Sequence, residues 1–181
     1  MFAPDGARGI IHGRRRRIAA RGGFEATMFR VDVQTLEAYF AFDPRREADL
    51  HKLDELIRKA APSLKRYFHK GAPEGEPGMR FKMIGYGKSF YRATTGERVE
   101  WPVVGVALQK NYTSVYFAVA RRGAAVTDPY AGRLGELRMG RNNFSFERFG
   151  DLDLSAATAL FSEAAQIFAG DPENVCETMR G

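Results

Sequence analysis

The sequence predicts an α+β fold, with an antiparallel sheet of about five or six strands and helices from both ends of the ordered chain packed on it. Three observations carry this. Apolar residues recur at helical spacing between residues 33 and 60, and again between 160 and 168. Between those stretches, from about Met79 to Phe149, the period falls to two. The strand-like runs follow one another through short links, and consecutive strands joined that way pair antiparallel.

The elements follow in order. In "VDVQTLEAYFAF", Val33, Leu36, Tyr39 and Phe40 share one helical face, with Asp32 or Thr35 available as the cap. In "DPRREADLHKLDELIRKAAP", Asp43 reads as an N-cap and Pro44 as the first helical residue. Leu50, Leu53, Ile57 and Ala60 form the apolar stripe, and Pro62 ends the helix. "SLKRYFHK" reads as a further short helical piece, and "GAPEGEPG" as a loop. "MRFKMIG" and "KSFYRAT" then read as two short strands. Val104, Val106 and Leu108 share one face of the next strand, and Val115, Phe117 and Val119 one face of the strand after it. Lys110-Asn111 between them suits a tight hairpin. "VTDPYAGRLGEL" reads as a helical turn closing at Gly135, and Phe144 and Phe146 alternate in a last strand. Asp153 or Ser155 caps a final helix whose stripe includes Leu160, Phe161, Ala164, Ile167 and Phe168, and Gly170 stops it.

Composition bounds the function. A chain of 181 residues, 44% hydrophobic, suits one domain with a core of its own. The lone cysteine, Cys176, leaves no intramolecular disulfide and no cysteine-rich metal site, which fits a reducing compartment and a cytoplasmic location. No run approaches the roughly 20 apolar residues of a membrane span. The net charge of +6 is concentrated at the N-terminus, where residues 1–27 carry +4 and the remainder only +2. The expected organisation is a disordered basic arm (1–30), an α+β domain (31–170) and a loose tail (171–181). Met28 offers an alternative start. The four consecutive arginines Arg14, Arg15, Arg16 and Arg17 are the feature of the arm that suits an anionic partner.

"MIGYGKSFYR", residues 83–92, invites a phosphate-loop reading. A Walker loop ending in Gly87-Lys88-Ser89 needs glycine at position 82, which is Lys82, and a helix afterwards, whereas "FYRAT" favours a strand. The dinucleotide fingerprint fails at Phe90. Gly85 and Gly87 are better explained by a turn or bulge, or by a close approach of other groups.

"LDELIRKAAP", "MIGYGKSFY", "VVGVALQKNYTSVYF" and "GRLGELRMGRNNFSFERFGDLDL" occur in one order that, from about Thr35 to Ala169, resembles the YdhG-like family, a bacterial domain of largely unknown function. The resemblance implies helices packed on an antiparallel sheet in a frataxin-like outline, and some members are described as iron chaperones. The sequence departs from the family pattern where many members carry a cysteine and two basic strand residues. Here those positions are Asn143, Ser145 and Glu147.

The chemistry-bearing residues leave several readings. An iron chaperone needs clustered carboxylates. Glu47, Asp54 and Glu55 are the metal candidates on the second helix, although Asp54 with Arg58 and Glu55 with Lys59 are spaced to pair with each other. His12, His51 and His69 show no ligand spacing and read as solvated or structural. The sheet aromatics, Tyr116 among them, read as packing. By fold analogy, Gly85, Tyr86, Gly87, Lys110 and Arg141 are the candidate ligand-binding residues, at loops and strand ends expected to converge. The expected function is a non-enzymatic binding or accessory protein for a small ligand or protein partner. The alternatives are an intracellular iron chaperone, the one reading that implies a cofactor, and a nucleic-acid binder acting through the basic arm.

Overall fold

The computed structural model describes residues 29–174. Its architecture is the α+β arrangement with an antiparallel sheet expected from the sequence. Six strands pair in the order β1-β2-β3-β4-β8-β7, every pairing antiparallel. They are β1 (Arg66–His69), β2 (Met83–Arg92), β3 (Arg98–Leu108), β4 (Thr113–Phe117), β7 (Arg138–Met139) and β8 (Asn143–Phe146). A two-residue ribbon, β5 (Ala120–Arg121) and β6 (Ala124–Ala125), branches off after β4.

Three helices complete the fold: α1 (Leu36–Phe40), α2 (Glu47–Ala60) and α3 (Leu154–Gly170). The Thr35 hydroxyl caps α1 by accepting from the Ala38 N–H at 3.1 Å, and the Asp153 carboxylate caps α3 by accepting from the Ala156 N–H at 2.8 Å. α2 ends before Pro62, as the sequence requires. Leu50, Leu53 and Ile57 of α2 and Leu160, Phe161 and Ala164 of α3 are buried in one core with Ile84, Val104, Val106, Phe117 and Phe144 of the sheet. Each large apolar side chain so buried contributes roughly 1.5–3 kcal/mol. Ser162 ties α3 to α2 by donating to the Ala60 carbonyl at 2.8 Å. Phe117 is fully buried and Tyr116 only partly, which is the facing that alternation gives β4.

Three expectations are corrected. "SLKRYFHK" is not helical: Arg66–His69 is the edge strand β1, in register with Met83–Tyr86. Alternation puts Phe68 against Tyr39, its ring 5.9 Å away, and turns Tyr67 and His69 the other way. Gly85 and Gly87 do not form a turn between two strands. β2 is continuous, and its register with β3 runs through from Ile84↔Val106 to Arg92↔Arg98. Finally, α2 starts at Glu47, not at Pro44. The Asp43 carboxylate is engaged before the helix begins, by the Arg45 N–H and guanidinium and by Arg46 Nε at 2.8 Å. Arg46 in turn donates to the Tyr112 carbonyl at 2.7 Å, joining this turn to the β3–β4 hairpin. That hairpin closes as expected, with the Gln109 N–H on the Tyr112 carbonyl at 2.8 Å.

Arg45 and then Arg46 hold Asp43 down at a pKa of about 2. Its folded value lies below the ordinary carboxylate value, so its contribution to stability is complete above about pH 4. That contribution is lost as the pH falls through about 2. Urea midpoints of the parent and Asp43→Asn are expected to differ at pH 6 and to converge toward pH 2. A gap independent of pH would show that the Asp43 charge is not what matters.

Candidate functional site

The helices cover one face of the sheet, and the candidate site lies on the other. In β2, Ile84 and Tyr86 point into the helical core, so Gly85 between them faces outward. Tyr67 of β1, the register partner of Gly85, lies over it: a Cβ on Gly85 would come within 2.6 Å of the Tyr67 ring. Gly87 carries the bend of the strand, with φ +67°. The glycines of "MIGYGKSFYR" therefore serve a close approach and a kink.

Around Tyr67 three polar side chains meet. His69, two residues along β1, stands edge-on to Tyr67 with ring centroids 6.3 Å apart. His69 Nδ1 faces Glu100 Oε1 of β3 at 3.8 Å. The other carboxylate oxygen, Oε2, accepts from Lys88 Nζ at 3.0 Å. The same ammonium lies 4.6 Å from the centre of the Tyr67 ring, within cation–π range. The segment 70–79 closes over this group. It is pinned by the Ala72 N–H on the Met79 carbonyl at 2.7 Å, and at Gly78 it lies close against Ala72 and Val99. Between this segment and the sheet is a cleft of about 610 Å³, lined by Tyr67, His69, Lys88, Arg98 and Glu100 among others.

His69 is only 8% exposed. Burial pulls its pKa below the ordinary histidine value, and the nearby Lys88 charge acts in the same direction against the Glu100 carboxylate. At pH 7 the ring is therefore neutral and carries one proton. A carboxylate facing Nδ1 favours the proton there, because the alternative sets a lone pair against a negative charge. Nε2 is then left as an acceptor, buried and without a hydrogen-bond partner. The Tyr67 hydroxyl is also buried and unpartnered; burial first, and the Glu100 charge second, raise its pKa. Only three buried side-chain polar atoms lack a partner among the described residues, and two of them belong to residues that line this cleft. Each such atom costs about 1–3 kcal/mol, so the pair marks a place where ligand atoms are wanted. The third is Trp101 Nε1. Trp101 lines a shallower hollow of about 370 Å³ on the far side of Gly78 and Met79, with Tyr91, Tyr116 and Arg141.

The residues singled out from sequence do not share one cavity. Gly85 lies beneath Tyr67 in the floor of the outer face. Tyr86 is fully buried on the opposite face, where its hydroxyl donates to Asp54 Oδ1 at 2.8 Å. Lys110 is exposed at the β3–β4 turn, next to the Thr113 end of β4, whereas Arg141 lies beyond the Asn143 end, which pairs with Tyr116. The carboxylates considered for metal are likewise engaged. Asp54 accepts from Tyr86 and from Arg66 Nη1 at 2.6 Å, Glu55 pairs with Lys59 at 2.6 Å, and Glu47 faces His51 at 4.0 Å. Two residues read separately, Tyr86 for ligand and Asp54 for metal, are thus hydrogen-bonded to each other. Among the described residues no three His, Cys, Asp or Glu side chains gather as a metal site, and no helix is long and apolar enough to cross a membrane. Arg14, Arg15, Arg16, Arg17, His12 and Cys176 lie outside the described residues.

Sequence reasoning passed over the Tyr67–His69–Lys88–Glu100 group because the signal for it is the strand state of "RYFH". With those residues extended, Tyr67 and His69 fall on one face. Only the register then brings Glu100 to them. No family model, curated protein or solved structure matches the chain.

Proposed function

We propose that this chain is a non-enzymatic binding domain of the YdhG-like kind, and that its ligand occupies the cleft under residues 70–79. The observation that carries the proposal is the pair of buried polar atoms without a hydrogen-bond partner, His69 Nε2 and Tyr67 Oη, on residues that line one cleft. About 610 Å³ is within the roughly 300–1,000 Å³ typical of small-molecule sites. Its lining joins six charged side chains, Tyr67 and His69 to an apolar part made by Pro73, Pro77, Met79 and Val99, which is more polar than most small-molecule sites. The lining contains no serine, threonine or cysteine, and its Lys88 amine is ion-paired.

The kinship rests on the four ordered segments, and the frataxin-like outline on helices packed against one face of an antiparallel sheet. The iron-chaperone reading gains nothing from Glu47, Asp54 and Glu55, whose carboxylates are directed to protein partners.

A fragment library followed by amide proton–nitrogen correlation spectra tests the proposal. Shifts are expected to concentrate at residues 67–79, 88 and 98–100, and to vanish in His69→Leu. Hits confined to the Trp101 hollow, or none at all, would refute it.

A further inference from the structure

We infer that the ligand of this cleft is a small primary alkylammonium, and that the Lys88 side chain occupies the ammonium position when the cleft is empty. The inference rests on the cleft being the binding site. Lys88 Nζ already shows what an ammonium meets there: the Glu100 carboxylate at 3.0 Å on one side and the Tyr67 ring at 4.6 Å on the other. An ammonium carries three donors, and Lys88 commits one to Glu100. Nearby, the His69 Nε2 lone pair has no partner and calls for a donor, and the Tyr67 hydroxyl has none either and can accept one.

Lys88 is an easily displaced occupant. Its side chain is 53% exposed on a flexible four-carbon stem, and a half-exposed ion pair holds weakly. The charge of the lining points the same way. Lys70, Lys88 and Arg98 balance Glu76, Glu97 and Glu100. Once Lys88 swings into solvent, the cleft has one carboxylate in excess, which a monocation neutralises. Glu76 and Glu97 make no ion pair among the described residues, whereas Arg98 already lies 4.0 Å over the Phe90 ring. With Lys88 in solvent, an anionic ligand would meet Lys70 and Arg98 against three carboxylates, which leaves the balance in favour of a cation. Pro73, Pro77, Met79 and Val99 provide an apolar wall for the alkyl chain.

The full chain is titrated with n-butylammonium, and with 1-pentanol and butanoate as neutral and anionic counterparts, while amide shifts are followed. Butylammonium alone is expected to move residues 67, 69, 88 and 100. Lys88→Met, which removes the internal ammonium and keeps the apolar stem, is expected to bind it at least fivefold more tightly, and Glu100→Gln at least tenfold more weakly. Both positions are partly exposed, and urea midpoints confirm that the variants fold. Unchanged affinity in Lys88→Met overturns the inference. So does stronger binding of pentanol or butanoate, which would keep the cleft as the site and discard only the ligand class. If none of the three probes and no fragment perturbs the cleft, the site itself falls as well.

Discussion

Asp54→Ala is expected to lower folding stability by about 3–5 kcal/mol, because removing one partner of a buried charge network strands the others. Asp54 is 5% exposed on α2 and receives the Tyr86 hydroxyl of β2 and the Arg66 guanidinium of β1. Arg58, one helical turn on, stands 3.6 Å away and is mostly in solvent. The alanine variant leaves a fully buried tyrosine hydroxyl without an acceptor and a partly buried guanidinium without its counterion. Tyr86→Phe removes only one donor from the network, and about 1–2 kcal/mol is expected. Because the two residues touch, their effects are not additive, and a double-mutant cycle reads the coupling directly. A total of 5–15 kcal/mol is usual for a domain, so a loss of this size is a large share of it. Urea unfolding checks the value. A loss below about 1 kcal/mol would show that Asp54 does not hold the α2–sheet junction.

Gly85→Ala is expected to have the second largest effect, about 1–3 kcal/mol from overpacking. Gly85 has ordinary extended backbone, so the penalty does not come from φ. It comes from the Cβ, which would meet Tyr67 Cε1 at 2.6 Å. Tyr67 must tilt off the sheet, and its ring is the floor on which Lys88 rests. The variant is therefore expected to disturb the amides of Lys88, Glu100 and residues 70–79 together with the loss of stability. A stable variant with an unaltered cleft spectrum would mean that Tyr67 does not lie on Gly85.

Much of this arrangement was legible in the chain because it depends on local signals. The stripes of α2 and α3, the caps at Thr35 and Asp153, the Lys110-Asn111 hairpin and the alternation of Phe144 and Phe146 each reflect a preference expressed within a few residues. In each of the errors another partner overrides the first preference read from the residues, distant for two of them and local for Asp43. Gly85-Tyr86-Gly87 left a turn, a bulge or a close approach open, and only the tyrosine that crosses from β1 decides for close approach at Gly85. "RYFH" carries two strand-prone aromatics that its place after a helix hid, and it is extended because β2 offers it an edge. Asp43 has the chemistry of a cap, but two arginines beside it take its oxygens. The candidate site was the least legible part. Its four polar groups come from three strands, and nothing in the spacing of Tyr67, His69, Lys88 and Glu100 announces that they meet.

The nitrogen spectrum of the His69 imidazole, recorded against pH, is the most direct measurement of the central claim. The expected result at pH 7 is a neutral ring protonated at Nδ1, with Nε2 carrying a free lone pair and a midpoint below the ordinary histidine value. Because that midpoint is depressed, His69 favours folding above the ordinary value and progressively less as the pH drops through the folded one. A ring protonated on both nitrogens at pH 7, or one carrying its proton on Nε2, would contradict the account, because the cleft would then present a donor where an acceptor is required.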